Sequence, residues 1–244
     1  MAYYITADLH LSAATANLNR AFLAFIKSKQ AGDKVIVAGD LFDFFVGIDK
    51  ADPAQQTVRA AANWAQAHGV ELAFIQGNRD FLLRRHEASA LGLHLLPDFY
   101  VIAGPFGNVL IMHGDLLCSN DVNYQRFRRR CHLRCNQSLF MLLPLSLRRK
   151  IGAKIRGHSQ QANGTRGDER IYGPVLRTID EVLTRHHCNH LVHGHIHHYA
   201  HFSNESAQAH SRLSLGCWGT HYSFVKLDAT GLHLVQAPLS SLLT

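Results

Sequence analysis

The feature that most constrains this chain is a repeated local pattern: short apolar runs that each end in Asp, Asn or His. Tyr3-Tyr4-Ile5-Thr6-Ala7 runs into Asp8-Leu9-His10, and Val35-Ile36-Val37-Ala38 into Gly39-Asp40-Leu41-Phe42-Asp43. Leu72-Ala73-Phe74-Ile75-Gln76 leads to Gly77-Asn78-Arg79-Asp80, and Val109-Leu110-Ile111-Met112 to His113-Gly114-Asp115. Asn189-His190-Leu191-Val192 precedes His193-Gly194-His195-Ile196-His197. Short β-branched and apolar runs of this kind read as buried strands. In α/β folds, sites gather at the carboxyl ends of strands. The five ends therefore point to one site.

Between them, residues 16–29 read as an amphipathic helix with Leu18, Phe22, Phe25 and Ile26 on one face. A second helix is expected from Pro53 to His68-Gly69, and a third from Ile171 to Arg185. Strand, helix and strand in succession predict a βαβ unit with a parallel pair. Pro105 and Gly107 predict a turn and a change of strand direction, hence a mixed sheet. Leu213–Gly216, Tyr222–Leu227 and Leu232–Gln236 read as further strands. The fold class is α/β, and one domain over 1–244 is the simplest organisation.

Residues 122–157 break the rhythm. Tyr124, Phe127 and Cys131 recur at helical spacing, and a second helical piece follows Pro144. No acidic residue lies between Asp121 and Asp168, while Arg126, Arg128, Arg129, Arg130, Arg134, Arg148, Arg149, Lys150, Lys154, Arg156 and Arg166 do. Most of the net charge of +7 comes from this interval. It reads as a helical cap over the strand ends, suited to an anionic partner, with apolar Leu139–Leu143 available for a membrane surface or an acyl chain. Residues 158–170 read as a polar loop. Cys131-His132-x-x-Cys135 lacks a second ligand pair and is not read as a zinc site.

The five cysteines form no disulfide framework, there is no apolar run of transmembrane length, and the N-terminus lacks a signal pattern. A cytoplasmic protein is expected.

Asp8 and His10 share a strand face, as do His193, His195 and His197, so spacing alone leaves open which two of the three histidines act together. Asp8, His10, Asp40, Asn78, His113 and two of those histidines could hold two divalent ions that share Asp40. Carboxylate and imidazole without thiolate suit Mn²⁺, Fe²⁺ or Zn²⁺. Two such ions activate a water and stabilise charge on an attacked phosphorus.

Taken together, Asp8-x-His10, Gly39-Asp40, Gly77-Asn78-Arg79, His113-Gly114-Asp115 and Gly194-His195-x-His197 resemble the calcineurin-like metallophosphoesterases. The resemblance implies a sandwich of two mixed sheets flanked by helices. It assigns Asp8, His10, Asp40 and His197 to one ion, and Asp40, Asn78, His113 and His195 to the other. A narrower resemblance, through Gly39-Asp40-Leu41-Phe42-Asp43, Gly77-Asn78-Arg79-Asp80-Phe81-Leu82, Asp121-x-x-Tyr124-Gln125-x-Phe127-Arg128 and Leu142-Leu143-Pro144-Leu145, is to the bacterial UDP-2,3-diacylglucosamine diphosphatases. It implies Mn²⁺-dependent attack on the α-phosphorus of UDP-2,3-diacylglucosamine at the cytoplasmic face of the inner membrane. Catalysis is expected from Asp40, Asn78, Arg79 and His113. Substrate contacts are expected from Asn78, Arg79, Asp121, Tyr124, Ser159, Asn163, Arg166 and His195, with Arg166 standing where lysine is usual. The alternative is a dinuclear-metal phosphodiesterase acting on nucleotides or nucleic acid. The apolar cap speaks against a nucleic acid partner.

Overall fold

The computed structural model describes residues 1–104, 106–164 and 172–243, with the backbone alone for 158–164. Two mixed sheets face each other. The first has six strands in the order β11-β10-β1-β2-β3-β4, and the second five in the order β5-β6-β7-β9-β8. In chain order the strands are β1 Tyr3–Thr6, β2 Lys34–Ala38, β3 Glu71–Ile75, β4 His94–Leu95, β5 Tyr100–Gly104, β6 Gly107–Met112, β7 His190–His193, β8 Ala200–Ser203, β9 Ser211–Ser214, β10 His221–Asp228 and β11 Gly231–Pro238.

Side-chain alternation explains the layers. In β2, Ile36 and Ala38 face the second sheet, where they join Ile5, Ala73, Ile75, Val109, Ile111 and Val192. Val35 and Val37 face outward and pack with Phe22 and Phe25 of α1 (Ala16–Lys27) and Val58 of α2 (Pro53–Ala67). In β6, Val109 and Ile111 point to the inter-sheet core, while Leu110 and Met112 meet Ile179 and Leu183 of the α-helix Leu176–Arg185. Both faces of each central strand are thus buried. That is why these segments read as continuous apolar runs.

The expected βαβ unit is present: β1 and β2 pair in parallel around α1, and β2 pairs in parallel with β3. Asp52 caps α2 by accepting from the backbone N–H of Ala54 (2.8 Å) and Gln55 (3.2 Å), with Pro53 in the first turn. Strands β5 and β6 pair antiparallel, but they open the second sheet rather than reversing the first.

The insertion forms three helices: α4 Val122–Cys131, α5 Arg134–Met141 and α6 Leu145–Gly164. Helix α6 continues to Gly164, through the start of the stretch expected to be a loop. Nothing from Leu145 to Ala162 is a proline, and Ser, Gln and Ala do not interrupt a helix once it is nucleated. Of the helix expected from Ile171 to Arg185, Ile171 lies outside the described residues, and Leu176–Arg185 forms its own helix, α7, which starts after Gly173-Pro174. The helix α3 (Arg85–Ala90) and strands β4 and β8 were not foreseen; they are too short to show periodicity.

Phe25 is buried among Tyr4, Trp218, Tyr222 and Phe224, with ring centroids 5.4–6.4 Å away. Phe25→Ala is expected to destabilise the fold by about 3–5 kcal/mol, measured as a lower midpoint in urea unfolding at unchanged slope.

Candidate metal centre

The five strand ends come together. β1, β2 and β3 are neighbours in the first sheet, and β6 and β7 in the second. Backbone bonds continue past the strands: Asp8 N–H donates to Gly39 O (3.1 Å), His10 N–H to Asp40 O (3.0 Å) and Gly194 N–H to His113 O (2.8 Å). Asp8, His10, Asp40, His195 and His197 all sit in the left-handed region, at φ 51–67°. For L-residues this costs about 1–2 kcal/mol each. Each turn swings a polar side chain into the gap between the sheets immediately after its strand stops.

Glycines permit the approach. A Cβ on Gly39 (φ +91°) would lie 2.3 Å from His113 Nδ1, and one on Gly77 would lie 2.3 Å from Asp40 Oδ1. One on Gly194 would lie 2.3 Å from Asp8 Oδ2. At these three positions a side chain would occupy the place of a site residue from another strand.

Asp8 and Asp40 are buried, at 0% and 1% exposure. Asp8 Oδ2 accepts from His195 N–H (2.8 Å), and Oδ1, with no hydrogen-bond partner, lies 3.4 Å from His197 Nε2. Asp40 Oδ1 accepts from Arg79 N–H (2.9 Å) and lies 3.6 Å from His113 Nε2. Asp40 Oδ2 meets Arg79 Nε at 3.2 Å and His10 Nδ1 at 4.0 Å. His113 Nδ1 lies 3.0 Å from Ala38 O and must donate to it, which turns Nε2 inward. That Nε2 and His195 Nδ1 both lie 2.9 Å from Asn78 Oδ1, so all seven expected ligands are gathered.

The electrostatics ask for cations. Burial raises the Asp40 carboxyl above its usual range, and Asp8 adds to this. Burial presses on His113 in the opposite sense, yet the Asp40, Asp8 and Asp115 carboxylates win and raise the imidazole to about 9. Burial lowers both His10 and His195 to about 3, which leaves them neutral and able to bind metal. Asp8 Oδ1 and His10 Nδ1 are buried without hydrogen-bond partners. Oxygen and nitrogen acceptors that converge in this way, without matching donors, fit divalent ions.

His193 resolves the ambiguity among the three histidines. It is fully buried and faces away, with Nε2 3.0 Å from Arg212 Nη1 and Nδ1 2.9 Å from Gly194 O. Burial, with the Arg212 charge, lowers it to about 4.

Other expected residues are placed differently. Arg79 bridges Asp40 and Asp43, its Nη1 3.2 Å from Asp43 Oδ1. Asp121 caps α4 by accepting from Tyr124 N–H (3.0 Å). Tyr124 donates its hydroxyl to Asp115 (2.6 Å), and its ring centroid is 6.0 Å from that of His195. Arg166 and the side chains of Ser159 and Asn163 lie outside the described residues.

Sequence reasoning missed three supports. Asp80, fully buried, accepts from Leu41 N–H (2.7 Å) and Gly77 N–H (2.8 Å), tying the Asp40 and Asn78 turns together. Arg156 of α6 reaches Asp43, at 2.5 Å from Oδ1, and so touches the partner of Arg79. Cys217 follows the end of β9, with Sγ and one ring nitrogen each of His10 and His197 within 4.8 Å of one another. The strand-end pattern could have found Cys217, which directly follows the expected strand Leu213–Gly216.

Gly39→Ala is expected to displace His113, lower the unfolding midpoint and reduce bound divalent metal below that of wild type, read by denaturant unfolding and by elemental analysis after dialysis.

Residues 1–199 match the family model of the calcineurin-like phosphoesterases. The UDP-2,3-diacylglucosamine hydrolase of Edwardsiella ictaluri is 39% identical over 241 residues, covering 98% of this chain and 93% of that protein. The protein of the same name from Serratia proteamaculans is 37% identical, covering 95% and 97%. Among solved structures, an archaeal phosphodiesterase aligns over 98% of this chain and 99% of its own at 11% identity, with a TM-score of 0.48. With Asp, Asn and His side chains gathered at its strand ends and a family match across most of its length, the chain belongs to the calcineurin-like phosphoesterases.

Proposed function

We propose that this protein hydrolyses the diphosphate of UDP-2,3-diacylglucosamine at the α-phosphorus, releasing UMP and 2,3-diacylglucosamine 1-phosphate for lipid A assembly. The observation that carries this reading is the 37–39% identity, over almost the whole chain, to relatives named UDP-2,3-diacylglucosamine hydrolase. The converging ligand set is compatible with it.

Asp8, His10, Asp40 and His197 would hold one ion and Asp40, Asn78, His113 and His195 the other, with Mn²⁺ as the activating metal. Bound there, two divalent ions supply a nucleophilic water and stabilise negative charge on phosphorus. The protein's own groups do the rest. Asp40 lies between the two ligand sets, so its two oxygens can serve both. Asn78 adds a neutral oxygen without adding charge. Arg79 is partly exposed at the rim, with Asp40 and Asp43 orienting a planar five-donor group toward phosphate oxygens. His195 adds a neutral ring beside Asn78. Asp121, Tyr124, Ser159, Asn163 and Arg166 complete the substrate contacts. Tyr124 would offer its ring face, since its hydroxyl is given to Asp115.

Helices α4–α6 would receive the acyl chains and rest on an anionic membrane at the cytoplasmic face of the inner membrane. Leu133, Leu139 and Leu142 are 51%, 65% and 81% exposed. Arg126, Arg129, Arg130, Arg134, Lys150 and Lys154 are exposed around them. Among the described residues no helix is long and apolar enough to cross a membrane.

Purified protein with Mn²⁺ is expected to release UMP from UDP-2,3-diacylglucosamine, to stop on EDTA addition, and to leave UDP-N-acetylglucosamine intact. Asp40→Ala should fold and lose turnover. Hydrolysis of generic phosphodiesters without action on the diacyl compound would favour a nucleotide phosphodiesterase instead. Paired Leu139→Ser and Leu142→Ser substitutions should raise KM for the diacyl substrate and weaken binding to anionic vesicles, with kcat retained.

A further inference from the structure

We infer that His193, oriented by Arg212, is a positioning residue: it braces the turn at 194–196 and so holds His195 against Asn78. This rests on the reading of the strand ends as a metal centre. His195 has φ 67°, and Ile196 N–H donates to Gly194 O two residues back (2.8 Å). A three-residue turn about an L-residue at positive φ is rare and strained, and it persists only where its surroundings hold it. The Gly194 carbonyl is the fixed point of this turn, and it has a second partner. His193 Nδ1 lies 2.9 Å from it.

What lies behind the ring fixes its tautomer. His193 is fully buried at the end of β7, and Arg212 is 5% exposed on β9. Arg212 stands opposite Leu191 in the parallel pairing, which makes it a diagonal neighbour of His193. Its guanidinium donates Nε and Nη2 to Glu205 (2.5 and 2.6 Å) and lies 3.9 Å over the Phe202 ring centre. Its remaining Nη1 is 3.0 Å from His193 Nε2. A guanidinium only donates. Nε2 must therefore accept, the ring proton sits on Nδ1, and Nδ1–H donates to the Gly194 carbonyl. Glu205, Arg212, His193 and the Gly194 carbonyl form one directed chain that ends on the backbone beside His195.

The packing leaves room for this chain at one residue. A Cβ on Gly114 (φ +114°) would lie 2.9 Å from Gly194 O and 3.0 Å from His193 Nδ1, so the ring and the carbonyl can meet only beside a glycine. The same turn is tied to the site by its amides: Gly194 N–H donates to His113 O (2.8 Å) and His195 N–H to Asp8 Oδ2 (2.8 Å). With the carbonyl braced as well, His195 Nδ1 stands 2.9 Å from Asn78 Oδ1. Without the brace the strained turn relaxes and that nitrogen is carried away from Asn78. The loss falls on the ion assigned to Asp40, Asn78, His113 and His195.

The test compares His193→Asn with His193→Gln in the full chain. Asparagine places an amide N–H where Nδ1–H stands, so it keeps the bond to Gly194 O and gives up Arg212. Glutamine places its amide near the Nε2 position, so it keeps Arg212 and gives up the carbonyl. Mn²⁺ affinity is read from the electron paramagnetic resonance of the free ion, turnover from kcat and KM, and folding from urea unfolding. His193→Gln is expected to lose ~10- to 100-fold in Mn²⁺ affinity at one position, the size that outer-shell partners of metal ligands reach, with a matching fall in kcat. His193→Asn, the conservative variant, should bind Mn²⁺ as wild type does, while its unfolding midpoint falls because Arg212 has lost a partner. Equal affinity in the two variants, or a greater loss in His193→Asn as mere filling of space would give, would overturn the brace and leave the metal centre standing. Proton–nitrogen correlation NMR of the metal-free wild type reads the tautomer without any variant needing to fold as expected. A His193 ring protonated on Nε2 instead of Nδ1 would also overturn the brace. Failure of wild type to bind Mn²⁺ at all would overturn the metal centre, and the role given to this turn with it.

Discussion

Two carboxylates buried side by side, Asp8 and Asp40, set the terms for everything around them. Each follows a central parallel strand and is buried, and Asp8 Oδ1 has no hydrogen-bond donor. Burying unpaired charge is costly unless a counter-charge is supplied. The chain supplies part of it through Arg79 and a raised His113. The remainder is what divalent ions would provide. Glycine at 39, 77 and 194, left-handed backbone at five site residues and the three-way grip of Asp80 all serve to hold this arrangement.

The helical cap depends on the same centre. Much of its positive charge is directed inward. Arg128 meets Asp115 and Asp98, Arg148 meets Val46 O, Arg149 meets Asp49, and Arg156 meets Asp43. These ties fasten α4 and α6 to the loops that carry Asp40 and His113. Net charge therefore overstates what is offered to an anionic partner. The exposed remainder, interleaved with leucines, is the part available to a lipid. The Arg156–Asp43–Arg79–Asp40 chain of ion pairs gives the cap a direct physical link to the candidate metal residues.

The site was legible because strand-end chemistry is local. Asp8, Asp40, Asn78 and His113 each announce themselves by following an apolar run, and the structure brings all four together. What lay hidden depended on partners distant in sequence. Asp80 looked like part of a turn until its carboxylate met the amides of Leu41 and Gly77. His193 matched His195 and His197 in parity, and only Arg212 and the Gly194 carbonyl show that it faces the other way. Tyr124 read as a substrate contact, while its hydroxyl is committed to Asp115.

By itself the sequence determined the α/β class, the order of the major strands and helices, and the Asp, Asn and His side chains at the strand ends. Periodicity and side-chain chemistry are properties of contiguous residues. Tertiary structure alone decided that β5 opens a second sheet and that the glycines yield space to side chains from other strands. It also decided that Cys217 stands beside His10 and His197. Each of those outcomes depends on which segments lie close across the inter-sheet gap, and proximity between segments far apart in sequence exists only once both sheets have packed.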